Sequence, residues 1–171
     1  MTSAANVPDL SLLILRVSLG VVFVAHGCHH IFGGGKLAGT GRWFESLGMK
    51  PGILHAWFAS ITELGTGALL ILGLATPVAC AGAVGVMVVA WITNHRKNGF
   101  FIFRPGEGYE YVMTLTVMAL GLAGLGAGDW SVDAGLGWFQ PGGWWGLAIA
   151  AVAGGGGAAG LLSLFWRPRP V

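Results

Sequence analysis

Charge is scarce in this chain: 9% of its 171 residues are Asp, Glu, Lys or Arg, where a soluble domain carries about 25%. With 54% hydrophobic residues and a mean hydropathy of +0.73, it has more apolar surface than a soluble core of this size can hide. No basic run or aromatic-interleaved basic patch is present, and the formal charge is only +2, which leaves nucleic-acid binding without a footing. There are two cysteines, Cys28 and Cys80, far apart and without CxxC spacing. Neither a zinc site nor a thioredoxin-like pair is indicated, and both read as packing residues. No flavin or dinucleotide fingerprint is set between a strand and a helix. The opening MTSAANVPDLS lacks the basic stretch and clean cleavage site of a signal peptide, so the first apolar segment is expected to remain in the mature protein.

What the chain has in abundance is apolar length and glycine. A helix needs about 20 apolar residues to span hydrocarbon, and five segments qualify: 10–32, 53–74, 76–95, 109–127 and 144–166. The 31 glycines fall partly inside these runs, as in GAVGVMVVA, where small residues let helix backbones approach closely. The expectation is an all-α, polytopic membrane helical bundle. Leu74-Ala75-Thr76-Pro77 makes a tight hairpin between the second and third segments, with Pro77 at the start of a helix, where its missing N–H is no loss. Stretches 33–52, 95–108 and 127–143, rich in Gly, Pro and charge, read as loops. No internal repeat is evident.

Basic residues set the orientation, because Lys and Arg in short loops stay cytoplasmic. Lys36, Arg42 and Lys50, then Arg96, Lys97 and Arg104, then Arg167 and Arg169 make eight of the nine basic residues, and an odd number of spans puts all eight on one side. Five crossings therefore place the N-terminus outside and the C-terminus in the cytoplasm. Trp138, Trp144 and Trp145 at the outer end and Trp43 and Trp166 at the inner one suit interfacial belts.

The informative residues are those that oppose burial in lipid: Arg16, His26 and Glu63, and nearer the inner surface His30, His55, His95 and Glu110. A charge at the bilayer centre costs about 2.5–3.5 kcal/mol even on a lenient insertion scale, so compensation is required. Arg16, Gly20, Phe23, Gly27 and His30 share one face of the first helix, and Ser60, Glu63 and Gly67 form a stripe on the second. If those faces meet, Arg16 and Glu63 could pair directly or through water. The pair is then either a structural device that fixes helix registry or part of a polar pocket that holds a substrate or relays protons. His26 and His30, at i and i+4 in HGCHH, have a spacing that can chelate a metal or help hold a haem. No carboxylate follows at ligand spacing and HExxH is absent, so no metal site is assigned. With His55 and His95 they instead suggest a cytoplasmic-side polar cluster able to exchange protons near neutral pH.

The runs LRVSLGVVFVAHG, ELGTGALLILGLATP, HRKNGFF, GYEYVMTL and GDWSVD, in that order over about residues 11–134, resemble the DoxX family. The resemblance implies a four-helix membrane core over residues 10–134, preceded by an extracytoplasmic tail (1–9). Residues 135–171 would add an outer loop, a fifth transmembrane helix and a basic tail, and could dock a partner. Because the family includes the small subunit of thiosulfate:quinone oxidoreductase, it also implies a bacterial plasma-membrane subunit tied to quinone, sulfur or thiol redox chemistry. Carried over by position, the family's polar motif falls on Arg16, His26, Glu63, His95, Glu110 and Tyr111, with a quinone or substrate pocket expected at Arg16, His26, Glu63, Glu110 and Tyr111. Members commonly read HGxxK where this chain has HGCHH, so His30 stands in the place of a lysine and a permanent cation becomes a titratable group. No tightly bound cofactor is expected, a quinone being the small molecule the resemblance brings in. Two-electron chemistry then calls for a cofactor-bearing partner. A non-catalytic scaffold or assembly subunit, and a small-molecule or lipid transporter, are the alternative readings.

Overall fold

The computed structural model describes residues 6–137 and 142–168 and is helical throughout, with a single antiparallel bridge, Met49 to Trp166, as the sole β-type pairing among the described residues. Trp138 and Arg169 lie outside the described residues. Helix α1 runs Val7–Phe32, α2 Lys36–Ser46, α3 Gly52–Leu72 and α4 Thr76–Ala90, which continues as a π-helical turn, Trp91–His95. They are followed by α5 Glu110–Leu125, the short α6 Val132–Leu136, and a last rod of α7 Gly143–Ala148, a π-helical stretch Ile149–Gly154 and α8 Gly155–Phe165. Four of these rods are long and apolar enough to cross a bilayer: 7–32, 52–72, 76–95 and 143–165. The span expected over 109–127 is realised as a helix of 16 residues, about 24 Å long and short of the roughly 30 Å hydrocarbon layer.

Stretch 33–52, expected as a loop, contains α2. Its helical signal, Leu37, Gly41 and Phe44 at i, i+4 and i+7, is diluted by glycine; Gly41 and Phe44 are buried, and Gly41 lies against the start of α3, where an added Cβ would sit 3.1 Å from the Ile53 Cα. The expected α1 and α3 faces do meet. Their backbones touch at a glycine pair: a Cβ on Gly20 would lie 2.7 Å from the Gly67 carbonyl oxygen, and one on Gly67 2.6 Å from that of Gly20. Such close approach is how membrane helices gain packing contact without a hydrophobic drive to associate. Helix α4 occupies the middle, packed on α3, α5 and the last rod. The core around it, including Phe23, Leu70, Cys80, Val84, Val112 and Leu122, is assembled from α1, α3, α4 and α5, with Ala150 of the last rod. Cys80 is fully buried and Cys28 half-buried, both as free thiols.

Each end of the bundle is tied. At the end carrying Asp9, Asp129 and Asp133, the Asp133 carboxylate accepts from the backbone N–H of Ala75 (3.0 Å) and Thr76 (3.4 Å), capping α4, while its own N–H donates to the Gly73 carbonyl (3.1 Å). Gly73 ends α3 at φ 66°, the left-handed geometry that suits glycine. At the basic end, Arg167 N–H donates to Gly48 O (2.8 Å), Lys50 N–H to Phe165 O (3.3 Å), and the Trp166 indole to Leu47 O (3.0 Å). The last rod is thereby clipped to the α2–α3 connection.

Candidate functional site

Arg16 is fully buried on α1 and does not meet Glu63. Its guanidinium donates to the carbonyls of Leu70 (3.0 Å), Ile71 (3.4 Å) and Trp130 (2.6 Å). Asp133 is near enough to act on it electrostatically. The expected Arg16–Glu63 pair fails on register: α1 and α3 run antiparallel, and the Leu70 carbonyl that Arg16 reaches lies two helical turns, about 10 Å, beyond Glu63. Arg16 therefore adds a charged donor to the carbonyls at the end of α3, where Leu70 O also accepts from the Gly73 N–H, and sews the 126–131 connection to the bundle.

The remaining polar residues gather elsewhere. A cavity of about 620 Å³, within the range of small-molecule sites, is lined by His26 and His30 of α1, Phe44 of α2, His55 and Glu63 of α3, His95 after α4, and Tyr111 of α5. The Tyr111 hydroxyl and His26 Nε2 share a 2.9 Å hydrogen bond. His30 Nδ1 lies 3.1 Å from Glu63 Oε2. That separation is right for an ion pair, yet neither atom is aligned for a hydrogen bond and both are buried. We read it as an electrostatic contact that leaves both groups with unspent bonding capacity. Glu63 is only 3% exposed, and the two pairs line the same cavity.

Two further histidines close the basic end. His95 Nδ1 is 2.9 Å from the Glu107 carbonyl, which can only accept, so Nδ1 carries a proton. In the neutral ring Nε2 then accepts from the Asn94 amide at 3.3 Å. The π-helical turn before Arg96 supplies this placement, such turns being common where a helix re-aims a functional side chain. His55 Nε2 donates to the Lys50 carbonyl (3.4 Å), with its ring edge-on to Phe165. The rest of the lining is apolar or small, including Phe58, Val78, Gly82, Gly85, Gly157 and Leu161.

The DoxX family model matches residues 11–96, half of the chain. This chain belongs to the DoxX family. It is 30% identical over 116 residues to the Bacillus subtilis (strain 168) protein named "Putative oxidoreductase CatD", an alignment that covers 68% of this chain and 81% of that one. It is also 30% identical over 131 residues to the "Uncharacterized membrane protein Rv3486" of Mycobacterium tuberculosis (strain ATCC 25618 / H37Rv), covering 72% and 79%. No solved structure matches.

Of the DoxX motif positions carried onto this sequence, His26, Glu63, His95 and Tyr111 line the cavity, whereas Arg16 and Glu110 do not. Glu110 opens α5 and its carboxylate accepts from the Ile102 N–H (3.1 Å), a loop-closing role. His30, the departure from the HGxxK pattern, sits inside the cavity against Glu63. His26 and His30 turn to different partners, and among the described residues no three His, Cys, Asp or Glu converge to hold an ion. Sequence reasoning passed over Phe44, Thr62, Asn94 and Glu107, all on the cavity wall; Thr62 and Asn94 stand directly beside polar residues already singled out, and that adjacency was the available signal.

Proposed function

We propose that this DoxX protein is a bacterial plasma-membrane subunit that binds a quinone in the histidine-lined cavity and handles its protons, while a cofactor-bearing partner supplies electrons drawn from a thiol or an inorganic sulfur donor. In this reading the basic end faces the cytoplasm. The reading is carried by one observation: two polar pairs, His26 with Tyr111 and His30 with Glu63, face a single intramembrane cavity whose other polar groups, among them His55, Asn94, His95 and Glu107, join a largely apolar wall.

The chemistry matches that wall. Reduction of a quinone takes two electrons and two protons, and its two carbonyl oxygens accept hydrogen bonds. Tyr111 and the histidines can donate to those oxygens, and imidazole is a side chain suited to passing protons on. Glu63 sets a carboxylate 3.1 Å from the His30 imidazole on the same wall. The apolar lining suits the ring and its substituent. "Oxidoreductase" in the name of the Bacillus subtilis relative points the same way.

Glu63→Gln tests the reading, because it keeps shape and removes charge. Titrated with a quinone in mild detergent, the wild-type chain is expected to bind saturably and the variant at least about tenfold more weakly, the equivalent of one charge-assisted hydrogen bond. Equal affinity in both, or no quinone binding by the wild type, overturns it.

A further inference from the structure

The cavity is longer than a ring needs. Its α4 wall runs from Val78 through Gly82, Gly85 and Val89 to Thr93, one continuous helix face, and ends at His95. At 1.5 Å per residue, Val78 to His95 is about 25 Å, most of the hydrocarbon thickness. All the histidines lie toward the basic end of this groove. Toward the other end the lining is aliphatic, and it reaches the outer surface of the bundle at Val78, which is 57% exposed. The buried Glu63 carboxylate, without an aligned partner, faces the polar end. A polar head with a long apolar chain laid along α4 fits this shape, and a bare ring leaves most of it empty.

The wall beside it is α8 with the π-helical stretch before it, contributing Ala153, Gly154, Gly157, Ala158 and Leu161. These residues lie outside the portion matched by the family model. The glycines differ in purpose. A Cβ on Gly154 would lie 2.6 Å from the Ala81 carbonyl oxygen, so its smallness serves packing on α4. Gly157 lines the groove, and a Cβ on it meets nothing within 4 Å, so bulk can be added at this wall without displacing protein atoms.

We infer that this groove seats the prenyl tail of the quinone and that the fifth helix, through Gly157, sets which tails fit; the inference rests on the quinone reading above. The test uses the purified full chain in mild detergent and two probes, a prenyl-tailed benzoquinone and the same ring without a tail. Gly157→Leu is expected to weaken the tailed quinone at least tenfold and leave the tail-less ring unchanged. Gly156→Leu is the matched control: Gly156 has the same open surroundings but does not line the groove, and this variant should bind both probes as the wild type does. Glu63→Gln should weaken both probes together. Equal binding of the tailed quinone by Gly157→Leu and wild type overturns the tail assignment while leaving the quinone reading standing. Failure of the wild type to bind either probe overturns the quinone reading itself. Extraction of an acyl lipid in place of a quinone from the purified chain also defeats the tail assignment.

Discussion

Replacing Arg16 by Met separates structural from ligand-binding roles for the most deeply buried charge among the described residues. The side chain makes two short hydrogen bonds, to Leu70 O at 3.0 Å and Trp130 O at 2.6 Å, and a longer one to Ile71 O at 3.4 Å. Bonds from a charged donor contribute about 1.5–3 kcal/mol each, so the two short ones give roughly 3–6 kcal/mol gross. Against this stands the cost of placing arginine in the membrane, about 2.5–3.5 kcal/mol at the centre and less near a helix end. The methionine variant escapes that cost but takes the Arg16 donor from Trp130 O and Ile71 O, while Leu70 O keeps only the Gly73 N–H. The balance is a loss of about 1–3 kcal/mol, and a chain of this size shifts its melting temperature by about 2–4 °C per kcal/mol. Arg16→Lys, whose three donors sit on one compact nitrogen and not on a planar fork that spans two carbonyls, should recover only part. The assay is thermal unfolding in detergent beside quinone binding at a temperature where every variant is folded. Lower melting with unchanged binding is the expected pattern. An Arg16→Met protein that melts with the wild type yet no longer binds ligand would refute the reasoning and move Arg16 into the site.

Two further changes probe the ties at the ends. Asp133→Ala removes the acceptor for the Ala75 and Thr76 N–H groups, and the loss should be about 0.5–2 kcal/mol, as for other N-caps, read by the same thermal assay. Trp166→Ala removes the indole bond to Leu47 O and the ring beneath the Arg96 guanidinium, 5.4 Å away. About 1–2 kcal/mol should be lost locally, and hydrogen exchange should rise over 155–167 before it rises in α1 or α3.

Much of this architecture was legible because its physics is one-dimensional. Apolar length gave the helices to within a few residues, and the period of Arg16, Gly20, Phe23, Gly27 and His30 located the face that α1 turns to α3. Register between helices is not written in any one of them. Arg16 and Glu63 looked like natural partners because both need compensation, but antiparallel packing brings Arg16 to the end of α3 and gives Glu63 to His30. His26, His30, His55, Glu63, His95 and Tyr111 do converge on one cavity, since polar groups in apolar helices have few favourable places to go. Helix α2 was obscured by its glycines. The role of the last rod as a cavity wall depends on tertiary packing, which glycine and alanine do not signal.

The glycine contact between α1 and α3 has a consequence at a distance. Gly20 stands ten residues from His30, about 15 Å along the helix, and touches no group in the cavity. With backbone resting on backbone there, the two rods meet at a fixed gauge, and the gap between imidazole and carboxylate farther along is inherited from it. One methyl group at Gly20 or Gly67 would act as a wedge under a pair of rails. The acid–base spacing would widen although no acid or base had been altered, so a residue defined by having no side chain sets the tolerance of the site.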